Sequence, residues 1–276
     1  MATTRRAPSP RHSLSDDQCR QQMQAMHKQA QQRLSQIDRN ISASEFARIQ
    51  QDVDRWSSMT IDTFRERYEQ SVLDDIDFRK GQFAKFIDSR GRLYADCRFD
   101  NFDTTCEEQQ TVLAAIRQYA DEMRQNVETG KSIVLFGPSG TGKDHLLTAL
   151  ARVAIMQYRK TVVWTSGAQL RSSARDRMGH GSDTSEKSII DSLVRPDILI
   201  LSDPSVGGAS LTDFQSDLFY LVIDKRYSDR KPTWVMINCA DREEMNATLG
   251  VAIADRLVDG ALTMGCDWHS HREPLA

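Results

Sequence analysis

The sequence predicts an α/β fold in which a five-stranded, mainly parallel sheet lies between helices, after a small all-helical N-terminal region. Two observations support this prediction. From residue 107 onward, helical patterns alternate with short apolar runs rich in β-branched residues. Such alternation places parallel strands in a sheet that helices cover on both faces. Before residue 88, apolar residues recur every three or four positions, which is the period of amphipathic helices.

Three helices are predicted N-terminal to the sheet. The first begins at Ser15, which can form a capping box with Gln18, and its apolar stripe runs to Ile37. The second begins at Ser42, and the third carries Ile61, Phe64, Tyr68 and Val72. These stripes are narrow and bury little apolar area alone. They favour a small helical bundle that also docks a partner.

The later elements follow in order after a turn-rich stretch at 88–103. Strands are predicted at 132–136, 161–165, 197–201, 233–237 and 262–266. Helices are predicted at 107–126, 168–178 and 185–194, and a further helix runs from the loop after the first strand to Tyr158. Another helix begins at a cap made by Thr212 and Gln215, and two short helices end at Gly250 and Gly260. The predicted organisation is a disordered basic tail at 1–14, a helical partner-binding region at 15–95 and an α/β domain at 96–276.

Composition excludes several classes of protein. The net charge of −3 over 276 residues does not suit binding of nucleic acid by bulk charge, although residues 1–39 hold seven basic and three acidic side chains. The five cysteines form no C-x-x-C pair, so neither a disulfide framework nor a zinc finger is indicated. No apolar run reaches the length of a membrane span, and no hydrophobic signal segment opens the chain. We expect a cytoplasmic protein without a membrane partner.

The stretch "GPSGTGKDHL" fits the phosphate loop G-x-x-x-x-G-K-[ST] at all but its last position. It follows a predicted strand and opens a predicted helix, where backbone N–H groups and the helix dipole bind phosphate and Lys143 neutralises its oxygens. The alternative is a glycine-rich turn that binds no nucleotide. We predict ATP binding by Gly137, Pro138, Ser139, Gly140, Thr141, Gly142, Lys143, Asp144 and His145.

Asp144 stands where this loop normally offers a hydroxyl to Mg²⁺, and its carboxylate should repel a triphosphate. The third strand ends in "ILILSDPS", with Ser202 where the metal-binding acid belongs and Asp203 after it. One hydroxyl and one carboxylate therefore remain, and both suit Mg²⁺. We hypothesise that Asp144 and Ser202 exchanged roles and hold Mg²⁺, while Asp203 activates or orients water. The competing interpretation is decay to a slow or inactive ATPase.

The region from Arg98 to Arg272 resembles the AAA+ ATPases of the DnaC-type helicase loaders and the related IstB-type transposition helpers. The matching text is "RFDNF", "GPSGTGKDHL", "ILILSDPSVG", "DKRYSDRKPTWVMIN", "ADRL" and "WHSHR". The resemblance implies an AAA+ phosphate-loop NTPase over roughly the last two thirds of the chain. The N-terminal helices match only in size and helical character.

The resemblance also implies catalytic roles. Asn238 resembles the sensor that positions the attacking water, and Arg256 resembles the arginine finger that reaches the ATP of a neighbouring subunit. Arg272 resembles the second sensor arginine, although His271 replaces the usual Tyr before it. The alternative for either arginine is a surface salt bridge. A finger acting in trans implies an ATP-dependent oligomer.

A DNA-contacting role is implied for the segment "GAQLRSSARDRM" after the second strand. It carries Arg171, Arg175 and Arg177 at the position of the family's DNA-contacting insertion, where basic side chains follow phosphates without reading bases. A solvated helix face is the alternative.

Three functions remain open from the sequence. The leading one is an ATP-dependent loader of a replicative helicase that grips the helicase through residues 15–95, binds single-stranded DNA and releases after hydrolysis. The second is a transposition helper that engages a transposase and duplex DNA. The third is a nucleotide-binding switch without useful turnover.

Overall fold

A computed structural model describes residues 14–35, 43–172, 186–205 and 211–271. The chain divides into two compact units, Met1–Phe78 and Arg79–Ala276. The division falls inside one helix and not after residue 95, where the sequence places it. Residues 79–95 join the second unit because their aromatic and aliphatic side chains, among them Phe86 and Ile87, are buried in its core.

The first unit is helical, as predicted. It contains α1 (Asp16–Ser35), α2 (Ala43–Ser58) and the first part of α3 (Ile61–Arg90). The Ser15–Gln18 capping box is present, since the Ser15 N–H donates to Gln18 Oε1 at 2.9 Å and the Gln18 N–H donates to Ser15 Oγ at 3.3 Å. The start of the second helix at Ser42 lies outside the described residues. The third helix is longer than its apolar stripe suggested, spanning 30 residues, and it ends at Arg90, just before Gly91 with φ of 112°.

The second unit holds a five-stranded sheet whose four described pairings are all parallel, in the order β2-β3-β4-β1-β5. The strands are β1 (Ile133–Phe136), β2 (Val162–Ser166), β3 (Ile198–Ser202), β4 (Thr233–Ile237) and β5 (Leu262–Gly265). Each lies within one residue of its predicted start. The predicted α/β class and sheet are confirmed.

Helices cover both faces of this sheet. They are α4 (Glu107–Asp121), α5 (Met123–Thr129), α6 (Lys143–Met156), α7 (Glu186–Val194), α8 (Asp213–Ser228), α9 (Arg242–Leu249) and α10 (Val251–Val258). Consecutive strand residues enter opposite cores: Ile133 and Leu135 lie in one and Val134 lies in the other. The single helix predicted at 107–126 is instead two helices, because the Asn126 side chain donates to the Tyr119 carbonyl at 3.0 Å and closes α4. Within the described ranges, none of the helices has the length and hydropathy to cross a membrane.

A fully buried arginine joins the amino ends of two strands. Arg226, near the end of α8, donates to the Thr233 hydroxyl and to five backbone carbonyls at 2.7–3.2 Å. The carbonyls belong to Leu193, Val194, Pro196, Asp197 and Pro232. Burial lowers the pKa of Arg226 to about 10, so the guanidinium stays charged at neutral pH. It fixes the segments that enter β3 and β4, and hence where those strands end at the site.

Candidate functional site

The glycine-rich loop runs from the end of β1 to the first turn of α6. Three of its glycines have positive φ: Gly137 (134°), Gly140 (84°) and Gly142 (88°). A Cβ at Gly137 would lie 2.4 Å from the carbonyl oxygen of Cys266, and one at Gly142 would lie 2.6 Å from the ring of Phe102. Only glycine therefore fits these positions, and the loop keeps its backbone N–H groups beside the amino end of α6.

Lys143 lies inside the loop. It is 5% exposed, and its ammonium donates to the carbonyls of Gly137 at 2.7 Å and Pro138 at 2.6 Å. Burial lowers the pKa of Lys143, and the nearby carboxylates of Asp203 and Asp144 oppose that shift. A phosphate oxygen at this point would meet an ammonium already surrounded by the loop.

The loop forms one wall of a cleft of about 460 Å³, a size typical of small-ligand sites. Its other walls include Tyr94, Phe102, Asp203, Asn238 and His271. The cleft fits a nucleoside triphosphate because its wall combines a buried ammonium, a glycine cradle that a Cβ would fill, and carboxylate and amide oxygens. A larger cavity of about 530 Å³ lies at the amino ends of β1 and β4, away from the phosphate loop. We assign nucleotide to the smaller cleft, because its phosphate loop combines the glycine cradle with the buried ammonium of Lys143.

Asp144 has a partner that the sequence analysis missed. Its Oδ1 accepts a hydrogen bond from Arg90, the last residue of α3, in an ion pair. The Arg90 guanidinium carbon lies 3.4 Å from the ring centroid of Tyr94 and 4.3 Å from that of Trp164. The only sequence signal was indirect: an unbalanced carboxylate in a phosphate loop requires a nearby cation.

The end of β3 brings Asp203 and Asn238 together. Asp203 has φ of 40°, and its N–H donates to the Met236 carbonyl at 2.9 Å. Burial raises the pKa of Asp203, Asp144 raises it further, and Lys143 and a side-chain hydrogen bond with Asn238 act against that rise. Ser202 is buried one residue earlier and is not among the described residues that line the cleft. The cleft wall thus contains Asp144, Asp203 and Asn238.

Main-chain contacts join the turns after β2 and β3. The Gly167 N–H donates to the Asp203 carbonyl at 3.2 Å. A Cβ at Gly167 would lie 1.8 Å from the carbonyl oxygen of Pro204. Residues 167–172 are helical and include Arg171, whereas Arg175 and Arg177 lie outside the described residues.

The segment after β5 crosses the phosphate loop. The Trp268 indole N–H donates to the Thr141 carbonyl, and the His271 N–H donates to the Gly140 carbonyl, both at 2.9 Å. The side chain of the buried Gln109, from α4, lies 3.2 Å from the His271 ring nitrogen. Arg272 is the next residue in the chain and lies outside the described part. The contacts of Trp268 and Gln109 were not predicted from the sequence.

Arg256, in α10, does not line the cleft. Its Nε donates to Asp224 Oδ1 at 2.9 Å, its Nη1 donates to the Ala252 carbonyl at 3.0 Å, and its guanidinium lies 4.9 Å from the Tyr220 ring centroid. It lines the larger cavity, which lies at the amino ends of the strands. This chain therefore does not bring Arg256 to its own phosphate loop.

Comparisons with known proteins agree with this geometry. The replicative helicase loader DnaC of Escherichia coli (strain K12) is 28% identical over 181 residues, which are 65% of this chain and 71% of that protein. The same loader from Buchnera aphidicola subsp. Acyrthosiphon pisum (strain APS) is 27% identical over 182 residues, covering 66% and 71%. A crystal structure of the DnaC helicase loader aligns with a TM-score of 0.55 at 20% identity, over 63% of this chain and 99% of that one.

The family comparison covers the phosphate loop and the strand ends of the site, but not Arg90. A profile described as "IstB-like ATP binding protein" matches residues 94–273, which span the phosphate loop, the end of β3 and the segment after β5. The match extends over more than half of the chain's 276 residues. This chain therefore belongs to the family of IstB-like ATP-binding proteins, and its AAA+ domain is of the DnaC and IstB type.

Proposed function

We propose that this protein is an ATP-dependent loader of a replicative helicase. The observation that supports nucleotide binding is the glycine cradle around the buried ammonium of Lys143. The assignment to helicase loading comes from the relatives, whose names describe replicative helicase loaders. In this proposal, ATP binds in the cleft between the phosphate loop and the end of β3.

Hydrolysis of ATP to ADP and phosphate is part of this proposal. Lys143 and the loop N–H groups hold the phosphates, while Asp203 orients the attacking water and Asn238 fixes its position. Mg²⁺ would be held by Asp144 and Ser202 and would neutralise charge on the β- and γ-phosphate oxygens. Ser202 is buried and is not among the described residues that line the cleft, so this role requires its hydroxyl to become accessible there. Substitution of Asp144→Thr, Ser202→Asp and both together tests the exchange, and additive losses in hydrolysis would contradict it.

The position of Arg256 supports the proposed self-association. Its guanidinium is remote from the phosphate loop of its own chain, so the proposed arginine finger acts on the ATP of a neighbouring copy. Arg272, directly after the loop-bound His271, is proposed to contact nucleotide within the same chain. Single-stranded DNA is proposed to contact Arg171, Arg175 and Arg177, and the helicase to bind residues 15–95.

A reconstitution with the full chain tests this function. The protein and the replicative helicase of the same cell are mixed with ATP or ADP, and the complex is measured by size-exclusion chromatography with light scattering. We expect an ATP-dependent complex that Lys143→Ala weakens and Lys225→Ala leaves intact, because the Lys225 side chain is exposed and its ion pair with Asp229 lies on the surface. A mixture without any complex in either nucleotide would refute helicase loading.

Two other functions make different predictions. A transposition helper, which the resemblance to IstB-type helpers leaves open, would prefer duplex to single-stranded DNA and bind a transposase in the same assay. The replaced residues Asp144 and Ser202 favour a switch, which would bind ATP without releasing phosphate even when DNA and partner are present. In each of the three proposals the protein acts in the cytoplasm.

A further inference from the structure

The phosphate loop carries a negative charge where the bound nucleotide is most negative. Asp144 is the second residue of α6 and lines the nucleotide cleft beside Lys143. Uncompensated, its carboxylate would oppose a diphosphate or triphosphate at close range, in a cleft where water screens charge poorly. Lys143 alone cannot balance both, since its ammonium is also the cation that faces the phosphates.

Arg90 supplies the second cation. Its side chain is 6% exposed and pairs with the Asp144 carboxylate, whose side chain is 32% exposed. A buried guanidinium forms such a pair with fixed geometry, since its planar group directs the donors and resists deprotonation. The carboxylate therefore reaches the cleft already neutralised by its own chain.

Two aromatic rings fix the guanidinium in place. Tyr94, from the short helix Arg92–Tyr94, lies on it at 3.4 Å, and Trp164, from β2, lies at 4.3 Å. Cation–π contacts at such distances stabilise a desolvated guanidinium. Arg90 is thus held by α3, the short helix, β2 and α6 together, and it has little freedom to leave Asp144.

We propose that Arg90 is a positioning residue of the nucleotide site: it neutralises and orients Asp144, so that a phosphate loop with a carboxylate at its eighth position still accepts nucleotide. This inference rests on the proposed function, because it concerns the same cleft. It differs from the metal hypothesis, because charge compensation by Arg90 operates without Mg²⁺. Arg90 acts through Asp144 and need not touch the nucleotide.

A double-mutant cycle in EDTA tests the proposal. Full-length wild type, R90Q, D144N and R90Q/D144N are titrated with a fluorescent methylanthraniloyl-ADP. We expect R90Q to weaken binding by about tenfold or more, which corresponds to at least ~1.4 kcal/mol. D144N should bind at least as tightly as wild type, and the double variant should bind like D144N, because removing the carboxylate removes the need for its partner.

A purely structural role for Arg90 makes a different prediction. R90Q would then weaken binding equally with Asp144 present or replaced, and that result would overturn the proposal, as would wild-type affinity in R90Q. R117Q is the matched control, since Arg117 also pairs with an aspartate, Asp100, at 2.8 Å and lies 5.6 Å from the Phe99 ring centroid. It should bind as wild type does.

The test also covers an unfolded R90Q variant and a wild-type protein that binds no analogue. If circular dichroism shows R90Q to be unfolded, R90K replaces it in the cycle. R90K keeps the charge but not the planar group, so a smaller loss that D144N abolishes supports the proposal, and a loss that D144N leaves unchanged overturns it. Wild-type protein that binds no analogue would refute the proposed function, and this inference with it.

Discussion

Replacing the buried Arg226 with methionine is expected to destabilise the AAA+ domain strongly. The change removes six hydrogen bonds, five of them to backbone carbonyls at the end of α7 and in the segments that lead into β3 and β4. At ~1.5 kcal/mol for each bond to a charged group, the gross loss is about 9 kcal/mol. Burying the guanidinium charge itself costs several kcal/mol, and methionine avoids that cost, which offsets roughly half of the loss. We expect the free energy of unfolding to be about 4 kcal/mol lower in the Arg226→Met variant. This is a large part of the ~5–15 kcal/mol that is typical of a folded domain.

Urea unfolding followed by tryptophan fluorescence measures this loss, with linear extrapolation to water. The matched control is Lys225→Met, one residue earlier on the same helix, where a long basic side chain pairs with Asp229 and is 60% exposed. Exposed ion pairs contribute little, so this variant should unfold as wild type does. A loss below about 1 kcal/mol for Arg226→Met would refute the reasoning, because the six bonds would then contribute no more than a surface contact.

Three further predictions concern the site and the cysteines. Gly137→Ala should abolish binding of the fluorescent ADP analogue in a titration, because the new Cβ would lie 2.4 Å from the Cys266 carbonyl oxygen; binding at wild-type affinity would contradict the cradle. Trp268→Phe removes the indole N–H that donates to Thr141, so the analogue should dissociate several-fold faster in stopped-flow measurements, and an unchanged rate would show that this contact does not hold the loop. Native protein treated with a thiol reagent at pH 8 should react first at Cys106, the partly exposed cysteine, as peptide mass spectrometry would show, because the other four are buried; early modification elsewhere would contradict this burial.

The sequence was sufficient to predict the sheet but not the boundary of the second unit. Strands such as "SIVLF" and "TWVMI" are apolar because both faces of the sheet are covered, and each was predicted to within one residue. The boundary was missed because residues 79–95 look like a continuation of an N-terminal helix followed by turns. Their side chains are buried in the second unit, and local periodicity cannot show which core receives them.

The site was predictable where its chemistry is local in sequence. The phosphate loop needs a strand, fixed glycine spacing, a lysine and a helix in succession, and all of these lie within residues 133–156. Arg90 was not predictable, because it lies 54 positions before Asp144 and is brought there by packing on Tyr94 and Trp164. The exchange of roles between Asp144 and Ser202 remains a prediction.

The contact between the turns after β2 and β3 restricts how the domain can transmit force. A Cβ at Gly167 would lie 1.8 Å from the carbonyl oxygen of Pro204, so the backbone of Gly167 packs directly against the backbone of Pro204. Neither turn can be displaced far without displacing the other. If single-stranded DNA binds Arg171 as proposed, tension on the helix that carries Arg171 would shift Asp203 through the backbone itself, without a relay of side chains.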